Sequence, residues 1–247
     1  EHVRPHVGPE QREGLALEHA GLQAPHTYAQ NPAAPSPERE PPMDSMTIRR
    51  NAVERTRLRY ERETEGHTMQ ILHDSGLYRH LRFTGPNGFY WYDLHTAPGE
   101  LTVAGGMGTY VFRIDDTDTL SFFTHGRGIN PGYWAEKLKA SDAGSGHHGW
   151  DQDLFTEQVN EVLAGWTKNM DSDTAATLAA RVEDDVLYYA PWESNAMEAV
   201  RSFNVDGHRF GDTSEWTLHG YTEQYLFCCW AIFHGANSYL THARKAS

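Results

Sequence analysis

The sequence predicts an α+β protein: an N-terminal antiparallel β-meander of four to five strands packed on a C-terminal helical bundle. Three observations carry this prediction. Residues 77–83 (LYRHLRF), 89–95 (FYWYDLH) and 100–112 (ELTVAGGMGTYVF) are rich in aromatic and β-branched residues and are separated by turn-forming segments. Beyond residue 115 the apolar spacing is helical. Strands come first and helices after, without the alternation that a parallel α/β sheet needs.

In chain order, residues 1–45 read as a Pro-rich tail, with Pro5, Pro9, Pro25, Pro32, Pro35, Pro37, Pro41 and Pro42 and few large apolar residues. Such a segment cannot bury enough surface to offset its ordering entropy, so disorder is expected. The first methionines are Met43 and Met46, which leaves open a tail that is upstream frame and a genuine flexible tail. Residues 46–247 read as one α+β domain: a helix within 46–66, the meander over 67–115 and a helical part over 116–247.

The first helix is expected from Thr47 to Glu63, since Ile48, Ala52, Val53, Thr56 and Tyr60 share a helical face. Its other faces carry Arg49, Arg50, Arg55, Arg57, Arg59 and Arg62 among Glu54, Glu61 and Glu63. A basic helix points to nucleic acid, whereas interleaved acids favour a solvated, self-paired face.

In the meander, residues 84–88 (TGPNG) and 96–99 (TAPG) mark turns, and Gly105 and Gly106 suit a two-residue hairpin. Simple hairpins then oppose Leu81 to Trp91, Arg79 to Asp93, His95 to Glu100 and Leu101 to Tyr110. Alternation gives one face with Tyr78, His80, Arg82, Tyr90, Tyr92, Leu94, Leu101, Val103, Tyr110, Phe112 and Ile114, expected to pack on the helices. The opposite face carries Arg79, Leu81, Phe83, Phe89, Trp91, Asp93, His95, Glu100, Thr102 and Thr109. On it, Trp91 beside the Arg79–Asp93 and His95–Glu100 pairs makes a candidate recognition patch of Arg79, Trp91, Asp93, His95 and Glu100. Cross-strand pairing on a solvated face is the structural alternative.

After the meander, Asp116 or Thr117 can cap a short helix through Leu120, Phe122 and Phe123. Asn130 and Pro131 start a helix expected to reach about Ala140, and residues 141–149 read as a flexible loop. Phe155, Val159, Val162, Leu163, Trp166 and Met170 form one amphipathic stripe, and Leu178, Val182, Val186 and Tyr189 the next, ending near Pro191. A shorter helix spans Ala196 to Phe203. The last, about Tyr221 to His242, is apolar almost all round at 225–233 and reads as the central buried helix.

Motifs for chemistry are sparse. Gly105, Gly106 and Gly108 join strand to strand and lack the phosphate-loop pattern. His147 and His148 lie in the Gly/Ser loop. His219 and Glu223, four apart, are the weak metal candidates; His234 lies about 16 Å further along such a helix and cannot share their ion. Cys228 and Cys229 sit in an apolar stretch, which predicts buried free thiols and a reducing cytoplasm. Glu183 to Asp185 point to different helix faces. Ser75, Ser121 and Ser238 lack a nucleophile-elbow context.

The net charge is −13 over 247 residues, with 34 acids against 21 bases, which disfavours a broad phosphate-binding surface. A run of about 18 apolar residues is missing, so no membrane span is expected.

Residues 76–83 (GLYRHLRF), 89–93 (FYWYD), 106–112 (GMGTYVF), 129–137 (INPGYWAEK) and 227–231 (FCCWA) resemble a family of uncharacterised phage and prophage proteins. The resemblance spans about residues 67–242. It implies a phage or prophage accessory protein in the bacterial host cytoplasm and carries no catalytic residues. The expected function is non-enzymatic binding of a protein or small ligand, with no cofactor. The alternatives are a metal-dependent hydrolase around His219 and Glu223 or around Asp93 and His95, and a nucleic-acid-binding module using the Arg49–Arg62 helix.

Overall fold

In a computed structural model of the protein, residues 44–115 and 118–246 are described, and they belong to one compact unit. Residues 1–43 of the tail expected over 1–45, and Asp116 and Thr117 as helix caps, lie outside the described residues; Asp44 and Ser45, counted with that tail, instead supply the N-cap and first residue of a helix, because the Asp44 carboxylate is placed to accept a first-turn amide.

Helix α1 (Ser45–Glu63) starts where the Asp44 carboxylate accepts from the Thr47 amide at 2.9 Å, an N-cap. It buries Ile48, Thr56 and Tyr60. Four of its six arginines are used in pairs: Arg57 with Glu54 and Glu61, Arg62 with Glu63, Arg55 with Asp153 and Arg59 with Glu223. Exposed pairs of this kind contribute little in water, so the buried face, not the charges, holds α1 in place.

Strands β1 (Thr68–Ser75), β2 (Tyr78–Thr84), β3 (Tyr92–Ala97), β4 (Glu100–Gly105) and β5 (Gly108–Arg113) follow as an antiparallel meander. After α2 (Thr119–Phe123) and α3 (Pro131–Ala135), β6 (Leu138–Ala140) adds to β5 and completes a six-stranded sheet ordered β1 to β6. The expectation of four to five strands was short at this far edge. The helix begun at Asn130 and Pro131 was expected to run to Ala140, but it ends at Ala135, and residues 138–140 pair with β5 instead. The α2 cap is Asp118, which accepts from the Leu120 amide at 3.3 Å.

β7 (His148–Trp150) and β8 (His219–Tyr221) form a separate two-stranded ribbon. The loop expected to be flexible is therefore anchored: the Asp142 carboxylate accepts from the amides of Gly144 and Ser145, and His148 is paired. Helices α4 (Gln152–Thr167), α5 (Ser172–Asp185) and α6 (Glu193–Ser202) follow, and α7 (Glu223–Ala246) closes the chain. Asp151 and Asp171 cap α4 and α5.

The helices do not form one bundle against the sheet. One core joins the inner sheet face, with Leu81, Phe83, Tyr92, Leu94, Leu101, Val103, Tyr110 and Phe112, to α1, α2, α3 and α7. A second core, with Phe155, Val159, Leu163, Leu178, Val182, Val200 and Phe203, lies among α4, α5 and α6. Burying each such side chain contributes about 1.5–3 kcal/mol, which makes α7, buried from Tyr225 to Ile232, the main support of the sheet. Gly235 sets that approach: a Cβ there would lie 2.7 Å from Leu94 Cδ1. Inside the first core the Tyr60 and Tyr92 hydroxyls satisfy each other at 2.8 Å.

The register differs from the simple-hairpin expectation. Leu81 pairs with Leu94 and Arg79 with Thr96, not with Trp91 and Asp93. Tyr90 takes φ +53°, so the β2–β3 connection runs on to Trp91 and β3 begins only at Tyr92. The shift between β2 and β3 is three residues, an odd number, and it exchanges the faces of β2 relative to β3. Leu81 and Phe83 turn inward, while Tyr78, His80 and Arg82 turn outward. Between β3 and β4, and between β4 and β5, the shift is two: Glu100 pairs with Ala97 rather than His95, and Leu101 with Phe112 rather than Tyr110. An even shift leaves the faces unchanged. The β4–β5 turn is also displaced. Gly105 pairs with Gly108, and the positive φ falls on Gly108 rather than on Gly105 and Gly106.

Candidate functional site

The outer face of the sheet brings four polar side chains together. Asp93 and His95 are two apart on β3 and so project to one side. His80 is the direct partner of His95 on β2, and Arg82 is the direct partner of Asp93. The Arg82 guanidinium donates from Nε to Asp93 Oδ1 at 2.9 Å and from Nη2 to Oδ2 at 2.8 Å, a bidentate pair. His80 Nε2 lies 3.1 Å from the same Oδ2, and His95 Nε2 lies 3.9 Å from it. The two imidazole rings are in contact, with centroids 4.1 Å apart. Trp91 lies under the Arg82 guanidinium, 5.7 Å from ring centroid to Cζ.

Burial divides the group. Asp93 is only 5% exposed, while the side chains of His80, Arg82 and His95 keep 29%, 42% and 46% of their surface. Burial by itself would raise the Asp93 carboxyl, but the hydrogen bonds and charges of Arg82 and His80 outweigh it and hold the group below the usual aspartate value. His95 is pushed below the usual histidine value, first by partial burial and then by the neighbouring His80. The donors of His80, Asp93 and His95 lie within 4.8 Å of one another, close enough to share a metal ion.

The other sequence-predicted residues lie elsewhere. Arg79 sits on the helix side, its Nη1 2.8 Å from Asp118 Oδ1 and its guanidinium over the Tyr239 ring. Glu100, at the start of β4, lies 3.6 Å from Arg113. His219 and Glu223, expected on one helix, fall on β8 and at the start of α7. His219 Nε2 is 3.5 Å from Glu193, and Glu223 pairs with Arg59. Each carboxylate there has its own partner, so the two do not form a common site.

His234 stacks on Tyr60 with its Nε2 buried and unpartnered, and burial lowers its affinity for protons. Cys228 and Cys229 are free and buried, and burial raises both thiols. His147 and His148 pack against Tyr225 and Tyr221. Of the outer-face group, His80 and Arg82 were missed. The signal was present: Leu81 and Phe83 are the apolar pair of β2 and belong with Leu94 and Leu101, which sends His80 and Arg82 to the side of Asp93.

Comparison with protein-family models, with curated proteins and with solved structures finds no match in any of the three.

Proposed function

We propose that the protein is a phage or prophage accessory protein of the bacterial host cytoplasm that works by binding, and that the outer sheet face around Trp91, Arg82, Asp93, His80 and His95 is its contact surface. One observation carries the reading. A nearly buried carboxylate is fixed by a bidentate arginine on a face whose histidines and tryptophan remain open to a partner. Fixed charge gives orientation and Trp91 gives contact area, the division of labour of recognition surfaces. The resemblance of residues 67–242 to phage proteins supports the setting. The charge of −13 and the paired arginines of α1 turn the reading away from nucleic acid.

The test is capture from infected cells by the full chain. Trp91→Ala and Arg82→Ala are expected to lose a partner that wild type and Trp192→Ala retain, with unchanged far-UV circular dichroism. Equal capture by all four proteins would exclude this face as the contact surface.

A further inference from the structure

We propose that His80, Asp93 and His95 form a three-ligand site for a divalent transition ion of the zinc class. The inference deepens the reading above and rests on it, since the ion would belong to the same working face. Two imidazoles and one carboxylate are a mixed nitrogen and oxygen set. It suits zinc, cobalt, nickel or ferrous iron rather than calcium or magnesium, which take oxygen ligands.

The donors are on rigid elements. Asp93 and His95 alternate on one strand, and His80 is paired directly with His95 on the next, so the backbone ladder sets their convergence. Oδ2 of Asp93 already lies 3.1 Å from His80 Nε2 and 3.9 Å from His95 Nε2. An ion between them would take the place of the proton shared by His80 and Asp93, and that proton would move to Nδ1 or to solvent. The orienting layer that metal ligands need is also present: the Arg82 fork holds both carboxylate oxygens in plane.

The fourth position faces outward, where His95 is half exposed. Water or a donor from a partner can complete the shell there. A third histidine stands nearby, because His73 on β1 is the register partner of His80 and shares its row.

The test is a titration of the full chain with zinc and with cobalt, read by calorimetry, by the cobalt absorption spectrum and by imidazole NMR shifts. One saturable site is expected, with shifts at His80 and His95. His80→Ala and His95→Gln are expected to abolish it, Arg82→Met to weaken it about 10–100-fold, and His219→Ala to leave it intact. Absence of saturable binding by the folded wild type, or binding that survives both histidine substitutions, would overturn the proposal. Capture by wild type and Trp91→Ala, each in the presence of a chelator, separates the two readings. Trp91-dependent capture that persists while the titration fails leaves the contact surface standing without the ion. A saturable site with unaltered capture by Trp91→Ala leaves the ion without the contact surface.

Discussion

Asp93 governs the outer face because it is the one carboxylate there that is nearly buried and fully hydrogen-bonded. Its folded-state proton affinity is depressed, so the ionised form stabilises the fold above the unfolded aspartate value of about 3.9. That contribution is lost as the pH falls through the lower folded value. Asp93→Asn is expected to lower stability by about 1–3 kcal/mol near neutral pH, and the gap to wild type is expected to close in acid. Urea unfolding of both proteins across a pH series checks this; a gap that stays constant into acid would contradict it. His95 works in the same direction at higher pH. Its depressed folded value means that the unfolded chain binds more protons as the pH falls from about 6.5, and stability falls with it.

Individual elements show what was legible in the sequence. The strands of the meander, the turn at residues 96–99, α1 and the stripes of α4 and α5 were readable because their periodicities are strong and the helix caps are ordinary: Asp44, Asp151 and Asp171 all accept from first-turn amides. β6 was not readable, because three residues carry no period and the strand exists only by pairing with β5. The register of β2 was not readable from turn residues alone, because the left-handed Tyr90 lengthens the connection, and an aromatic residue gives no local warning of positive φ.

Gly105 is part of the same junction. A Cβ there would lie 2.2 Å from the Trp91 carbonyl oxygen. That carbonyl also accepts from the Gly106 amide at 3.0 Å. Gly105→Ala is therefore expected to push the start of β3 from β4 and cost about 1–3 kcal/mol. It should also displace Trp91, which sits on Arg82. Thermal melts with tryptophan fluorescence check both effects, and an unshifted melt would contradict the first.

Over the whole molecule, the two separate cores predict two levels of cooperativity. The sheet, α1 and α7 share one core, and α4, α5 and α6 share the other. Among the links between them is the Arg55 guanidinium of α1, which donates to the Asp153 carboxylate of α4 at 2.8 Å. Phe203→Ala, which empties a buried site in the second core, is expected to cost about 3–5 kcal/mol there. Amide exchange should then accelerate in α4, α5 and α6 before it does in β3 and β4. Uniform acceleration through both regions would mean that the cores unfold as one.

The sheet has one further property, set by its first strand. Among the described residues β1 is an edge strand with Ile71 and Leu72 exposed, and an open edge invites extended chains to add. Leu72 is an extra residue there: Ile71 pairs with Leu81 and His73 already with His80. The bulge interrupts the even spacing of the unpaired backbone groups, and His73 and Asp74 place polar side chains just beyond it. One surplus leucine in the ladder thus breaks the regular template that an added strand would need at this edge.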